Sequence, residues 1–353
     1  MRVAFVSAET VHHRDTETNR RFRTVVDLLE SRGHDVHVFC TQFWPGARAT
    51  LERDGITYHG VSVGLEAYRS FLLRVPFVLA RARPDVVHAS ARPPGQVLAA
   101  SLGASVARSP FVVEWYGDDE VADDRLTQLA AGRPDRIVTP SELVGTRVRE
   151  RGADGSAVDA VPNPIDLERI ESVPPGDPVD VIYARRLDEG ANLESLLLAL
   201  AELRRRGWRA TVVGDGPERD AYERLASDLR IDDRVAFVGD LSLEERIAAY
   251  RGAHVFAQTA ERCAFPTELL RGLAAGCVGI VEYHANSSAH ELVEGWDRGF
   301  RTTSEEELTD AIRAAGDLEH RTLEESFADY DRDAIACRYL EQYRTLRDEH
   351  GMV

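Results

Sequence analysis

The chain has 353 residues, 43% of them hydrophobic, a length and composition that suit two domains of ordinary size. Its formal net charge is −17, and all 43 basic residues are arginine. This acidic balance excludes general nucleic-acid binding, which requires a basic surface.

The first part of the sequence alternates short apolar runs with residues at helical spacing. A helix is predicted from about Asn19 to Arg32, and Ser141 is placed to cap a later helix. Strands alternating with helices predict a doubly wound parallel sheet of the α/β class. The predicted strands are Val3–Ser7, Val36–Cys40, Asp85–Ala89, Phe111–Glu114 and Arg136–Thr139.

The densest proline cluster separates this series from a second one. It comprises Val161–Asp166 and Glu171–Pro178, which predict a stiff linker rather than a strand or helix. Beyond it, strands are predicted at Val179–Ala184, Arg209–Val213, Val235–Val238 and His254–Ala257, and helices at Asn192–Arg205, Glu218–Leu229 and Leu243–Arg251. A final helix, Asp331–Glu349, carries an apolar stripe of Ile335, Tyr339, Leu340, Tyr343 and Leu346.

The cysteines and the chain start bear on the compartment. The four cysteines form no CxxC pair, which argues against a structural zinc site, and reduced thiols are expected. The sequence starts directly in a strand, and no apolar run approaches the length of a membrane span. A cytoplasmic protein is therefore expected.

Several fragments in shared order carry a family resemblance. They are RPDVVHAS, DRIVTPSELVGTRVRERG, AVPNPIDLERI, VIYARRLDEGANLESLLLAL, VVGDGPER and the block from Glu261 to Glu294. Together they resemble the retaining glycosyltransferases of the family-4 type (glycosyl transferases group 1), which have the GT-B fold. The resemblance implies two Rossmann-like domains facing across a cleft, with the C-terminal helix returning to the N-terminal domain. Residues 1–165 with 331–353 would form the acceptor domain, and residues 166–330 the donor domain.

The resemblance also implies a reaction. A hexosyl-type sugar would pass from a UDP or GDP sugar to a sugar, lipid-linked sugar or small-molecule acceptor, with retention and without a metal or other cofactor. The acidic, lysine-free composition favours a salt-adapted, haloarchaeal-like source, although GC-rich coding also favours arginine.

Arg186 matches the arginine of the family's phosphate clamp, with Arg185 beside it, whereas the clamp lysine falls on Ala191. An arginine pair directly after an apolar strand lies where ligands bind in open sheets. The alternative is that both arginines form surface ion pairs. Gly214 and Gly216 also follow a strand, where they serve either close approach to the donor or simply a tight turn.

The family's carboxylate pair is displaced, because its two positions fall on Cys263 and Arg271. Glu268, and with it Glu261, is the hypothesised replacement that orients donor hydroxyls. A glutamate at a helix start is equally explained by the helix dipole.

Ser287 and Ser288 match paired glycines whose backbone N–H groups meet the donor phosphate in the family, and Glu291 matches a glutamate there. Alternatively, Ser287 only caps a helix that runs through Glu291.

On the acceptor side, Tyr116 falls on a position where the family often has a histidine, and Asp118 follows. His12 and His13 adjoin the cleft in the family fold. A charged, solvated loop is the favoured explanation of each of these segments.

The segment Tyr68–Arg83 mixes arginine with apolar residues, as in a helix that touches a membrane peripherally on its inner face. Pro76 interrupts this segment, and a buried helix is the alternative. His88 is expected to be a packed histidine at a strand end.

Two other functions remain open at this point. The lost lysine and the displaced carboxylates suit a non-catalytic GT-B protein that binds a nucleotide or a protein partner. A nucleotide-sugar epimerase of similar fold would release free sugar products without an acceptor.

Overall fold

The computed structural model describes residues 1–117 and 125–351. The chain divides into two compact units. The first unit consists of Met1–Asn163 and the C-terminal residues from Asp333, and the second is Pro164–Arg332. Each is built on a mainly parallel sheet with helices, so the predicted α/β class with two Rossmann-like sheets is confirmed.

The first unit contains an eight-stranded sheet in the order β3-β4-β2-β1-β5-β6-β7-β8, in which only β3 runs antiparallel to its neighbour. Its elements are β1 Arg2–Val6, α1 Glu17–Glu30, β2 Asp35–Gln42, β3 Thr50–Arg53, β4 Ile56–Val63, α2 Tyr68–Ala82, β5 Val86–Ser90, α3 Pro94–Ala107, β6 Phe111–Glu114, α4 Arg125–Ala131, β7 Arg136–Thr139, α5 Glu142–Glu150 and β8 Val158–Ala160.

Capping residues set the helix starts in this unit. The Thr16 hydroxyl accepts a hydrogen bond from the Asn19 N–H, so α1 begins at Glu17, two residues earlier than predicted. The predicted cap of α5 is confirmed, because the Ser141 side chain accepts from the Val144 N–H. Helix α2 continues through Pro76, so the expectation that this proline interrupts the segment is wrong.

The second unit contains a six-stranded parallel sheet in the order β11-β10-β9-β12-β14-β16, and β13 pairs with β15 alongside it. Its elements are α6 Leu167–Ser172, β9 Val179–Ala184, α7 Leu193–Glu202, β10 Ala210–Val213, α8 Arg219–Asp228, β11 Val235–Gly239, α9 Leu243–Gly252, β12 Ala253–Gln258, β13 Arg262–Cys263, α10 Thr267–Ala274, β14 Val278–Glu282, β15 Asn286–Ser287, β16 Gly299–Thr302 and α11 Glu305–Ala315.

The proline-rich segment is not a bare linker. Helix α6 lies within it, and the Asp166 side chain caps this helix by accepting from the Arg169 N–H at 2.9 Å. The prolines flank α6 rather than interrupt it, which is why a helix of six residues fits there.

The last helix, α12 (Arg332–Glu349), packs into the core of the first unit. Its stripe of Ile335, Tyr339, Tyr343 and Leu346 is buried against residues of α1 and the sheet. His88 is fully buried, as predicted, and its Nδ1 lies 2.5 Å from the Tyr343 hydroxyl.

Candidate functional site

The order of the strands in the second unit singles out one place at the carboxyl edge of its sheet. From β9 the chain proceeds outward to β10 and β11, and it then returns to place β12 on the other side of β9. Open α/β sheets bind ligands at such a switch point, beyond the carboxyl ends of the two strands concerned. The loops that follow β9 and β12 are therefore the candidate functional site.

Two glycines hold the loops after β9 and β10 together. A Cβ atom built on Gly214 would meet the Arg185 carbonyl oxygen at 2.0 Å, and one built on Gly216 would meet the Leu187 carbonyl oxygen at 2.2 Å. The Leu187 N–H also donates to the Asp215 carbonyl at 3.0 Å. Loop packing thus accounts for both glycines, as in the alternative of a tight turn.

The two arginines after β9 differ in their surroundings. The Arg185 guanidinium is largely buried, donates to the Arg262 carbonyl at 2.9 Å and lies 3.8 Å from the Asp188 carboxylate. Arg186 is exposed, and its guanidinium has no hydrogen-bond or ion-pair partner in residues 1–117 and 125–351. Arg186 is therefore available to an anion, whereas Arg185 braces the loop.

The position of the family's clamp lysine is closed. Ala191 is fully buried, and its carbonyl accepts a hydrogen bond from the Tyr183 hydroxyl at 2.7 Å. Because a charged side chain would have to be buried at this point, the positive charge of the site comes from the arginines before it.

Glu261 follows β12 on the other side of the switch point. Its N–H donates to the Gly190 carbonyl at 3.1 Å, which joins this loop to the loop after β9. Its side chain is exposed, and the described residues place no donor on its carboxylate. The Glu261 carboxylate is therefore available to a ligand.

Glu268 is held by the protein itself. Its Oε1 accepts from Arg246 at 2.7 Å and from Arg271 at 2.5 Å, and its Oε2 accepts from the Tyr250 hydroxyl at 2.6 Å. Burial, and after it the Glu268 carboxylate, raises the pKa of Tyr250 well above its ordinary value. Glu268 therefore anchors Arg246, Arg271 and Tyr250, and its hypothesised contact with donor hydroxyls stays a prediction.

Ser287 and Ser288 are buried, and their backbone N–H groups are already used. The Ser287 N–H donates to the His284 carbonyl at 3.0 Å, and the Ser288 N–H donates to the Cys263 carbonyl at 2.9 Å. Both N–H groups therefore already have carbonyl partners within the protein, and the expected contact with the donor phosphate stays a prediction. Strand pairing of β13 with β15 brings the Cys263 carbonyl to Ser288.

The expected helix after these serines is only a 3₁₀ turn, Ala289–Leu292, with Glu291 half-buried in it. The residue before the turn is Ser288, which makes no side-chain capping bond, so the alternative that Ser287 caps a helix is wrong.

Sequence reasoning missed a polar cluster at the ends of β12 and β14. The Asn192 amide donates to the Thr259 carbonyl at 3.0 Å and to the Glu282 carboxylate at 3.2 Å, and it lies 3.4 Å from His284 Nε2. Asn192 has a φ of 47°, a left-handed conformation that asparagine tolerates better than most residues. A glutamate that ends the apolar run VGIVE was the available signal.

The acceptor-side residues lie in the first unit. Tyr116 is 4% exposed, and its hydroxyl donates to Glu17 Oε2 at 3.1 Å. Its ring therefore serves the core and leaves little surface for an acceptor. Asp118 lies outside the described residues.

His12 and His13 belong to a packed aromatic cluster instead of a solvated turn. The His12 ring stacks on Phe43 at 4.5 Å, and His13 Nε2 lies 2.9 Å from the Thr41 hydroxyl. Burial lowers the pKa of both imidazoles below their ordinary value, so both are mainly neutral at pH 7.

In residues 1–117 and 125–351, no three His, Cys, Asp or Glu side chains are grouped to hold a metal ion. Over the same residues, each helix is too short or too polar to cross a bilayer.

Two family models match consecutive parts of the chain. Residues 18–169 match the one described as "Glycosyltransferase Family 4", and residues 164–333 match the one described as "Glycosyl transferases group 1". Together these matches support a glycosyltransferase with the GT-B fold.

Among curated proteins, a GDP-mannose-dependent alpha-(1-6)-phosphatidylinositol monomannoside mannosyltransferase of Mycolicibacterium smegmatis is 30% identical over 169 residues. The match covers 44% of this chain and 43% of the relative, so the chain matches less than half of that protein's length.

Solved structures match over nearly the whole chain. A glycosyltransferase from Rickettsia africae has a TM-score of 0.78 at 14% identity, with 98% of each chain covered. The sucrose-phosphate synthase of Thermosynechococcus elongatus has a TM-score of 0.74 at 17% identity, with 98% of each chain covered. HepE of Anabaena, in complex with UDP, has a TM-score of 0.74 at 15% identity, with 98% of this chain and all of that chain covered. At these identities the likeness establishes the fold.

Proposed function

We propose that this protein, which carries glycosyltransferase matches in both halves, transfers a hexosyl group from a nucleotide-sugar donor to an acceptor. The donor diphosphate would bind at the switch point beyond β9 and β12. The observation that carries this proposal is Arg186, an exposed guanidinium without a partner among the described residues, located where open sheets bind their ligands.

Arg186 would act on the leaving group. As the glycosidic bond to the diphosphate breaks, negative charge grows on the phosphate oxygens, and a guanidinium stabilises that charge through two parallel hydrogen bonds. Arg185 braces the loop through Arg262 and adds a second positive charge nearby. Charge neutralisation by arginine would let the reaction run without a metal.

Glu261 would orient the sugar. Its carboxylate is exposed and borders the loop after β9 through the bond of its N–H to the Gly190 carbonyl. Acceptance of hydrogen bonds from sugar hydroxyls would fix the ring relative to Arg186. The reaction would retain the anomeric configuration, as the family resemblance implies, with attack on the face that the diphosphate leaves.

The nucleotide base of the donor and the identity of the acceptor remain to be assigned. The curated relative is GDP-mannose-dependent and acts on a phosphatidylinositol monomannoside, whereas HepE binds UDP. GDP and UDP are therefore the two nucleotides to compare. The acidic, lysine-free chain would work in concentrated salt, which sets the assay buffer.

A second candidate function rests on Cys263 and Arg271. These residues occupy the positions at which the family has its carboxylate pair, and Arg271 is occupied by Glu268. A GT-B protein that binds a nucleotide without transferring a sugar would tolerate both changes. An epimerase would differ from both functions because it releases free sugar without an acceptor.

The deciding experiment is calorimetric titration with UDP and GDP in molar potassium chloride. Arg186→Ala is expected to weaken binding of the preferred nucleotide about tenfold or more. Arg204→Ala is the matched control, because Arg204 is also exposed and unpartnered among the described residues of the second unit. Folded protein that binds neither nucleotide would refute the donor site. Binding without sugar transfer or donor hydrolysis would favour the second function.

A further inference from the structure

Glu282 is a buried carboxylate that no guanidinium opposes. Within residues 1–117 and 125–351, the buried acidic residues are Glu114, Glu282 and Glu324. Glu114 and Glu324 each form an ion pair of 2.6 Å with an arginine, whereas Glu282 has only the His284 imidazole, whose Nε2 lies 3.8 Å from Glu282 Oε2. Carboxylates are seldom buried unless they are paired, and the exceptions concentrate at functional sites.

The strand order places Glu282 at the candidate functional site. Glu282 is the last residue of β14, which lies beside β12, and the preceding residue Val281 pairs with Gln258. Neighbouring strands of a sheet lie about 4.8 Å apart. Glu282 therefore ends its strand next to Thr259, at the same carboxyl edge as the loop that carries Glu261.

Asn192 connects the ends of three strands. Its main-chain carbonyl accepts a hydrogen bond from the Thr259 hydroxyl at 2.6 Å. Its amide nitrogen donates to the Thr259 carbonyl at 3.0 Å and to Glu282 Oε2 at 3.2 Å. A carbonyl and an ionised carboxylate only accept hydrogen bonds, so the amide nitrogen must face them. The orientation of this amide, and with it the position of the Glu282 carboxylate, is thus fixed.

The His284 ring turns one nitrogen toward this cluster and leaves the other free. His284 Nε2 lies 3.4 Å from the Asn192 amide nitrogen. Because an amide nitrogen only donates, a hydrogen bond between them makes Nε2 the acceptor and places the proton of the neutral ring on Nδ1. Nδ1 has no partner among the described residues, and the side chain is 25% exposed. His284 Nδ1 is therefore available to donate to a ligand.

The cluster suits adjacent hydroxyl groups. Glu282 Oε1 accepts only from the Ser195 hydroxyl, at 3.5 Å, so it keeps lone pairs for a further donor. A hydroxyl group can donate to this carboxylate, and a neighbouring hydroxyl can accept from His284 Nδ1. A phosphate would be repelled by the carboxylate, and an ammonium group would offer no acceptor to Nδ1. Two neighbouring hydroxyls of a sugar ring satisfy both protein groups.

We propose that Glu282 and His284 bind hydroxyl groups of the donor's hexosyl group. The inference rests on the proposed function, because it assigns the sugar end of the same donor site. Glu282 would accept from one hydroxyl, His284 Nδ1 would donate to another, and Asn192 would hold both side chains in place. The unopposed carboxylate would then be retained for sugar binding although its burial lowers stability.

Calorimetric titration with a nucleotide and with its sugar conjugate separates the two ends of the donor site. The pairs are UDP with UDP-glucose and GDP with GDP-mannose, in molar potassium chloride. Glu282→Gln is expected to weaken binding of the sugar conjugate about tenfold, because a hydroxyl loses a charged acceptor. The same substitution is expected to change the affinity for the nucleotide alone by less than about twofold, since Glu282 does not meet the diphosphate.

Two substitutions of His284 test the outward nitrogen. His284→Asn keeps an amide N–H close to the position of Nδ1, so the affinity for the sugar conjugate is expected to stay within about threefold of wild type. His284→Phe keeps the ring but removes the donor, and it is expected to weaken binding of the sugar conjugate about tenfold. Equal affinities of His284→Phe and wild type would overturn the role of His284.

Glu324→Gln is the matched control, because Glu324 is buried to the same extent in the same unit but pairs with Arg321. It is expected to lower the thermal transition and to leave both affinities unchanged. Glu282→Gln is expected to keep or raise the transition, because it removes a buried charge that no arginine opposes. A lowered transition with unchanged affinity for the sugar conjugate would make Glu282 structural and overturn the proposal.

Failure of this inference is distinguishable from failure of the proposed function. Folded wild-type protein that binds neither nucleotide would refute the donor site and the sugar subsite together. If a nucleotide binds, and wild type and Glu282→Gln hold its sugar conjugate equally well, only the subsite is refuted. Equal weakening of nucleotide and sugar conjugate by the variants would also refute it, because the cluster would then support the loops without contacting the sugar.

Discussion

Arg21 Nε and Glu114 Oε1 form an ion pair of 2.6 Å inside the first unit, with each side chain only 2% exposed. The pair is part of a network, because the Tyr339 hydroxyl donates to Glu114 Oε2 at 3.0 Å and Arg21 donates to the Val161 carbonyl at 2.7 Å. The network thus connects α1, β6, the segment that precedes the second unit and the C-terminal helix. Removal of either Arg21 or Glu114 would leave the other charge buried without the ionised group that opposes it.

Arg21→Met is therefore expected to lower the free energy of unfolding by about 3–5 kcal/mol. The neighbouring Arg20→Met is the control, since Arg20 pairs with Asp15 on the surface with both side chains more than half exposed. An exposed pair contributes at most about 1 kcal/mol. Urea unfolding of the two variants measures the contrast, and equal losses would show that burial of the pair contributes little.

The same pair predicts how stability depends on pH. Burial alone would raise the pKa of the Glu114 carboxyl, but Arg21 and His88 outweigh it and hold that pKa below its ordinary value. A carboxyl with a lowered folded-state pKa contributes stability that is present above its unfolded pKa, about 4.3, and is lost as the pH falls further.

Glu114→Gln is expected to flatten the loss of stability below about pH 5, because glutamine does not titrate. Thermal unfolding at a series of pH values, compared with wild type, measures this. Parallel pH curves for wild type and Glu114→Gln would contradict the assignment.

The two glycines after β10 give a third prediction. Gly216→Ala is expected to destabilise the second unit by about 1–3 kcal/mol and to weaken nucleotide binding, because the new Cβ would push the Leu187 carbonyl away and displace the Arg186 loop. Gly207→Ala is the control, since that position has open space and no left-handed backbone. It should be neutral or stabilising by about 0.4–1 kcal/mol. Unchanged nucleotide affinity in folded Gly216→Ala would separate this loop from the donor site.

The sequence predicted those features that local patterns encode. Strand β5 is buried along its whole length and was visible as the apolar run DVVHA, and α12 was visible as an apolar stripe. Strand β3 was missed because it lies at the sheet edge, largely exposed, and carries no alternation.

The sequence predicted the candidate site only where the position of a single residue next to a strand was enough to locate it. Arg186 lies two residues after the apolar strand Val179–Ala184, so its location could be inferred from the chain alone. The cluster of Asn192, Glu282 and His284 joins segments about ninety residues apart, so it depends on the order of the strands. The hydrogen bond from the Ser288 N–H to the Cys263 carbonyl likewise depends on strand pairing, which no local sequence pattern predicts.

The two glutamates proposed from the sequence should separate by experiment. Glu268 holds Arg246, Arg271 and the buried Tyr250 hydroxyl, so Glu268→Gln leaves two guanidinium groups without their carboxylate. A loss of about 2 kcal/mol in the free energy of unfolding is expected, with nucleotide affinity unchanged. Glu261 is exposed and has no partner among the described residues, so Glu261→Gln should change stability by less than about 0.5 kcal/mol.

For the turnover rate, Glu261→Gln is expected to have the larger effect and Glu268→Gln the smaller one, which provides the sharper test. Glu261→Gln should lower the rate of sugar transfer, or of donor hydrolysis where no acceptor is found, about tenfold, because a hydroxyl would lose a charged acceptor. Glu268→Gln should stay close to wild type at temperatures where it remains folded. Chemical denaturation gives the free energy of unfolding of each variant, and kinetic assays give its rate of sugar transfer or donor hydrolysis. If Glu268→Gln lowers the rate of sugar transfer without lowering stability, Glu268 contacts the donor. That result would contradict a purely structural role for its bonds with Arg246, Arg271 and Tyr250.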